Sequence, residues 1–229
     1  TVNIKQFNIW NIGDDSFDVD QGWRGKAQFG CIVQGYSVDD DQGSGVGDNA
    51  FETDGAEDSD WQPVTTAALY NMTVIGQPVD GDGGTTWRDN ARVQYRNCVF
   101  MDLGDQLVRF DNLDGDGANG YGHNGTLSWG QTWTTDWNVT STVNPFPGNP
   151  LDHYHAQVDG KLAEIKDSVF YNNNAGNAYT EATAVGVLNG SNNNVQEPAT
   201  SPIKHIQRAG AVTRGRQHVA NSVQADGNG

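Results

Sequence analysis

VNIKQFNIW (Val2–Trp10), AALYNMTVI (Ala67–Ile75), VQYRNCVFM (Val93–Met101) and AEIKDSVFY (Ala163–Tyr171) align without a gap. Each has apolar residues at its first, third and last two positions and an amide or acid at the fifth. A copy starting at Ala27, AQFGCIVQ, fits when one residue is dropped. The starts at Val2, Ala27, Ala67, Val93 and Ala163 lie 25, 40, 26 and 70 residues apart, a repeat of about 25 with insertions in the second and fourth units. Repeats of this length are coils of a β-solenoid, in which each unit buries its apolar face only by stacking on its neighbours.

Alternation within the copies predicts strands over Ile4–Trp10, Leu69–Ile75, Tyr95–Met101 and Ile165–Tyr171, parallel and in register, with Val2, Ile4, Leu69, Val93, Tyr95, Ala163 and Ile165 pointing inward. Gln6, Asn71, Asn97 and Asp167 fall where the chain must turn a corner. The reading is an all-β, right-handed parallel β-helix forming one elongated domain over residues 1–229. Because the chain opens directly on a strand pattern and ends on the open segment from Ala225, it reads as a fragment of a longer precursor.

A second strand is expected some 15 residues into each coil: FDVD from Phe17, VRFD from Val108 and AYTEA from Ala178, with FETD from Phe51 and TTWRD from Thr85 as displaced copies. Stacked, these place Asp20, Asp54, Asp89, Asp111 and Glu181 in one column and Asp18, Glu52, Arg88 and Arg109 in the next. Successive rungs lie about 4.8 Å apart, a spacing at which carboxylates repel unless cations intervene. The ladder is either a solvated face countered by Arg88 and Arg109 or a calcium ladder.

Composition narrows the partners. Asp plus Glu number 29 against 13 Lys plus Arg, a formal charge of −16 that repels nucleic acid and anionic membranes. No apolar run approaches the roughly 20 residues of a membrane span. With 29 glycines, the chain favours turns and corners over helices.

Two long polar insertions, Tyr36–Gln62 and Leu113–Asp159, interrupt the coils. The first carries Asp39, Asp40, Asp41, Asp48, Glu57, Asp58 and Asp60. The second opens with Asn112, Asp114, Asp116 and Gly117, spaced like the first half of a calcium loop. His123 stands where that loop needs its bidentate Glu, which excludes a helical calcium hand and leaves an irregular oxygen-ligand site. Trp129, Trp133 and Trp137 make one stripe on a short helix, read as a lid over the coil edge or as a glycan platform. Asp152, His153 and His155 form a weak transition-metal pattern. Cys31 and Cys98 are expected in one column, two rungs apart, too far for a disulfide and so reduced and buried.

The stretch GDDSFDVDQGWRGKAQFG (Gly13–Gly30), with DNAFETDG, ALYNMTVIG and WRDNARVQYRNCVF after it, resembles a family of bacterial secreted or surface-anchored right-handed β-helix proteins that carry a GDDS-x-D-x-DQGWRGK-x-QF signature. The resemblance covers Val2 to Asn112 and implies the fold and an extracellular or outer-surface location; most members have no assigned activity. Gly13-Asp14-Asp15 is also similar to the paired aspartates of polygalacturonase-type β-helix glycosidases. The companion motifs depart from that pattern: Glu52-Thr53-Asp54 follows the pair where a similar element should precede it, and Tyr121-Gly122-His123 lacks a second glycine.

Two function classes follow. The first is a non-catalytic extracellular module, such as an adhesin, a surface-layer or filament subunit or a glycan binder. It associates through its coil ends and binds calcium through Asp18, Asp20, Glu52, Asp54, Asp89, Asp111, Asp114 and Asp116. The second is a polysaccharide-active enzyme, either a lyase with Lys26 or Arg24 as base or a hydrolase using Asp14, Asp15, Asp18 and Asp20. The first is preferred, because the net charge of −16 disfavours anionic polysaccharides unless calcium bridges them.

Overall fold

The structure is a computed structural model that describes residues 2–34, 48–56, 64–78, 81, 83–122, 125–136, 161–174, 192–196, 198 and 200–203. Its strands stack into two sheets, and every strand pairing is parallel. Sheet A runs from β1 (Ile4–Trp10) through β3 (Lys26–Val33) and β5 (Thr66–Ile75). It continues through the pairs β7 (Arg92–Arg96) with β8 (Val99–Met101) and β10 (Ala163–Lys166) with β11 (Val169–Tyr171), and ends at β12 (Val195–Gln196). Sheet B stacks β2 (Phe17–Val19), β4 (Phe51–Asp54), β6 (Thr85–Arg88) and β9 (Val108–Phe110). Chain order therefore alternates between the sheets through the first four coils, with β7 and β8 together forming one rung of sheet A: this is a parallel β-helix.

The fifth position of each repeat bends sheet A. Gln6, Phe29, Asn71, Asn97, Asp167 and Asn193 all adopt left-handed backbone, with φ between 53° and 61°. Amides and acids tolerate this region because their short polar side chains satisfy the local backbone, and stacked at rung spacing they also bond each other. Asn97 donates to the Asn71 side chain, and Asn193 donates to Asp167 at 2.8 Å. After the corner, inward and outward positions exchange. Ile4 and Leu69 face the core before it, and Met72, Val74, Cys98, Phe100 and Phe170 after it.

The fifth copy is therefore registered differently from the reading at Ala27. Ala27 pairs with Ile4 and Leu69, so the unit begins at Gly25 and needs no dropped residue. Phe29 then occupies the corner, at φ 61° and 50% exposed, where an aromatic residue disguised the turn as strand. Cys31 pairs with Thr73, which pairs with Val99. The two cysteines thus stand in neighbouring columns rather than one; both are free, with Cys98 buried and Cys31 half-buried.

The core between the sheets is a rising column of rings: Phe17 on Phe51 at 6.0 Å, Phe51 on Tyr95 at 5.2 Å, and Phe100 on Phe170 at 6.1 Å. Mostly edge-on or tilted, these contacts suit the ring quadrupole and add to the burial of apolar area. Val2, expected inward, is 68% exposed, because no rung lies beneath β1 among the described residues. The one described helix, α1 (Trp129–Thr132), is short. The described parts of the two long insertions, around Asp48–Ala56 and Leu113–Asp136, include β4, part of sheet B, and α1; the rest lies outside the described residues.

Candidate functional site

Short strands with alternating apolar and polar residues build the outer face of sheet B. On β2 and β4, Phe17, Val19, Phe51 and Thr53 are buried while Asp18, Glu52 and Asp54 point outward. On β6, Thr85 and Trp87 point in, held together by Trp87 Nε1 donating to Thr85 Oγ1 at 3.0 Å, which turns Thr86 and Arg88 out.

Pairing sets Asp18 beside Glu52, Glu52 beside Thr86 and Thr86 beside Arg109. Asp54 pairs with Arg88. This corrects the expected columns on the third rung, by one residue in the first and two in the second: Arg88, not Asp89, follows Asp54, and Thr86, not Arg88, follows Glu52. Asp89 lies past the strand end in left-handed backbone, φ 55°. The loops between coils differ in length, so spacing alone did not fix which residue enters β6.

Arg88 consequently breaks the acidic column. Its Nε and Nη2 donate to Asp54 Oδ1 and Oδ2 at 2.9 and 2.8 Å, and Nη2 also lies 2.6 Å from Glu52 Oε1. Two parallel hydrogen bonds to one carboxylate are the strong geometry for a guanidinium.

A tighter acidic group sits just before β2. Asp14, Asp15 and Asp48 bring one carboxylate oxygen each within 4.8 Å of one another. Asp48 is buried; its Oδ1 accepts from Asn49 backbone N–H at 3.0 Å and side-chain Nδ2 at 3.1 Å. The chain is fixed here because Ser16 and Phe17 donate backbone bonds to Asn49 and Ala50.

The Asp15 and Glu52 carboxyls act directly on each other, and Asp15 Oδ1 is buried without a hydrogen-bond partner. Burial, then the Asp15 hydrogen bond and charge, push the Glu52 carboxyl up to about 8. Burial raises Asp15 as well, against hydrogen bonds from Glu52 and Asn49. Asp18 is raised by burial and by the charge of Asp54. Two acids forced together keep one proton well above the usual carboxylate range.

The remaining expected residues are dispersed. Asp20 lies at the exposed turn after β2, and Asp111 just after β9. Lys26 lies on β3 of sheet A, where its backbone N–H donates to Asn3 at 2.9 Å. Asp114 is buried and Asp116 exposed; their carboxylates accept backbone N–H from Asp116 and Ala118 within a turn closed by the Leu113–Asn119 bridge. Trp129 and Trp133 pack on Trp87 at 5.8 and 5.0 Å, and Trp133 is 6% exposed, the arrangement of a lid. Trp137, Glu181, His123, the strand expected from Ala178, the His153/His155 pair and Asp39 to Asp41 lie outside the described residues.

The meeting of Asp15, Asp48 and Glu52 is what sequence reasoning missed. Asp48 stood in an unaligned insertion, and only the second-strand register, which joins Phe17 to Phe51, brings it over Asp14. A family model described as "Pectate-lyase like beta helix domain" matches residues 1–144. No curated protein and no solved structure matches the chain.

Proposed function

Because the chain belongs to the pectate-lyase-like β-helix domain family, we propose that it is a non-catalytic extracellular β-helix module stabilised by calcium, held by Asp14, Asp15 and Asp48. The observation that carries this reading is the convergence of those three carboxylates within 4.8 Å. Two oxygens that ligate one calcium are separated by at most about twice a Ca–O distance of 2.3–2.6 Å, so the spacing suits a shared ion. Three like charges at that separation cost several kcal/mol even at an effective dielectric near 20, on the order of 3–4 per pair. The fold meets part of this by holding a proton between Asp15 and Glu52. Calcium would replace that proton with two charges and more oxygen partners.

Assembly through the coil end belongs to the same proposal. Among the described residues, β1 pairs only with β3 and β2 only with β4, leaving both first strands with a free edge. Val2 and Trp10 are 68% and 46% exposed there. Such edges template further parallel pairing, here by a coil of a second copy.

Thermal melts of the full chain with millimolar calcium and with chelator test the reading. Calcium should raise the midpoint, and Asp48→Asn should remove the rise; an unchanged wild-type midpoint contradicts it.

A second reading has a specific observation behind it. A glutamic acid still protonated near neutrality, as Glu52 is, has the property of a general acid in glycoside hydrolysis. Incubation with a panel of neutral and acidic glycans tests this, by assay of reducing ends and of unsaturated uronates. Product formation lost in Glu52→Gln would move the protein into the catalytic class.

A further inference from the structure

The outer face of sheet A does not share the sign of the chain. Ile4, Ala27, Tyr95 and Ile165 face the core ahead of the corner, so their neighbours on each strand face out. Those outward positions hold Lys5, Lys26, Arg96 and Lys166 against one acid, Glu164. The later rungs are occupied among themselves: Glu164 lies 2.5 Å from Arg96 and 3.9 Å from Lys166, and Leu127 packs on Tyr70. The first two rungs are open. Lys5 is exposed and Lys26 half-buried, and neither has an ion-pair partner among the described residues. Phe29 stands beside them, next to Gln28, which pairs with Lys5. The other described corners are amides or an acid, whereas Phe29 takes φ 61° with half of its surface in water. Left-handed strain kept at an exposed aromatic residue points to a use for the ring. On sheet B the same two coils carry the opposite sign. Asp18 lies on β2 and Asp20 just past its end, both exposed, and neither has an ion-pair partner among the described residues. Glu52 and Asp54 follow on the second rung.

We infer that the solenoid docks side by side on a second copy with the two axes aligned, Lys5, Lys26 and Phe29 of one against Asp18 and Asp20 of the next. Both faces repeat at the rung spacing of about 4.8 Å, so lysines on adjoining rungs meet carboxylates set at the same interval. With aligned axes, the unpaired lysines and the unpaired aspartates stand at the same height, on the first two coils. Phe29 supplies the apolar anchor that such a polar contact needs. The two faces differ, so the contact is heterologous and its repetition builds a row of solenoids instead of a two-fold pair. At about 0.1 M salt the screening length is about 10 Å, which damps the repulsion between two chains of net charge −16 and spares charges in contact. This lateral contact is distinct from pairing through the coil end, and it is independent of calcium at Asp14, Asp15 and Asp48.

Sedimentation velocity of the full chain over a concentration series, in chelator, tests this. Self-association is expected at about 0.1 M salt and should weaken about tenfold or more at 1 M, where the screening length is ~3 Å. Lys5→Glu with Lys26→Glu, and separately Asp18→Lys with Asp20→Lys, should each abolish it. An equimolar mixture of the two variants should restore it, because every facing pair is then of opposite sign again. Phe29→Asn should weaken association while raising the melting midpoint, a combination that a merely structural ring would not give. A wild-type chain that stays monomeric at about 0.1 M salt, charge variants that associate as wild type does, or a mixture that stays monomeric overturns the contact. Association undiminished at 1 M salt also overturns it, and assigns the assembly to the coil end. Calcium-dependent melting of the same samples reports separately on the calcium proposal.

Discussion

Arg88 on β6 grips Asp54 on β4 through two parallel hydrogen bonds of 2.9 and 2.8 Å, and reaches Glu52 with the same Nη2 at 2.6 Å. One side chain thereby bonds two acids of the rung beside it. Arg88→Met should lose these bonds and leave Asp54 facing Glu52 uncompensated, at a cost of about 1–3 kcal/mol. Asp54→Asn, which keeps an acceptor for the guanidinium, should cost less. A double-mutant cycle read by chemical denaturation checks this, and additive effects would show that the fork contributes nothing.

The Asp15–Glu52 pair sets a pH dependence. Glu52 binds a proton up to about 8 in the folded chain, against an ordinary value of 4.5 when unfolded. Between those values the native state holds the proton and the unfolded state does not, so stability falls as pH rises. The contribution is complete below about 4.5 and lost by passage through about 8. Glu52→Gln should flatten this part of the stability profile in chelator and leave the variant above wild type by about 2–4 °C at pH 8.5, the shift of ~1 kcal/mol in a chain of this size. A wild-type profile that rises from pH 5 to 8 would contradict the pairing.

At the corner, Phe29 holds a conformation its neighbours fill with Gln6 and Asn71, at φ 61° and half exposed. Phe29→Asn relieves the strain and extends the amide ladder toward Asn71, so it should stabilise by about 0.5–1 kcal/mol. Asn97→Val, which removes the Asn71 bond and puts a β-branched residue at φ 54°, should destabilise by about 1–3 kcal/mol. Melting midpoints of the two variants check the opposite signs.

The thiols separate by burial. Cys98 is buried and its thiol is raised to about 12, mainly by desolvation, while Cys31 is half-buried and raised by burial as well. A thiol reagent at pH 8 should modify Cys31 in the folded protein and Cys98 only after unfolding. Equal rates for both would mean the columns are misassigned.

The fold was legible because its signal is local and repeated. Ile4, Leu69, Tyr95 and Ile165 carry the inward column in the sequence itself, and Gln6, Asn71, Asn97 and Asp167 announce the corners by their residue type. Phe29 hid its corner, since nothing in an isolated aromatic residue says that its backbone is left-handed. The site was less legible for a physical reason: side chains meet across sheet B only after loops of unequal length have closed. Shifting β6 by one residue exchanged Asp89 for Arg88, which turned an expected run of carboxylates into an ion-paired one. Asp15 and Glu52 stand 37 residues apart, and no spacing rule joins them.

Calcium titration of the full chain by calorimetry, run at pH 7 in two buffers of different ionisation enthalpy, tests the central claim most directly. An ion at Asp14, Asp15 and Asp48 should displace the proton held between Asp15 and Glu52, so binding should release up to one proton per calcium. The account predicts a saturable site, a heat that differs between the buffers, and loss of both in Asp48→Asn. At a hundredfold excess over Kd the same site should add about 2.7 kcal/mol of stability. No binding heat at millimolar calcium, or binding unaffected by Asp48→Asn, would contradict it.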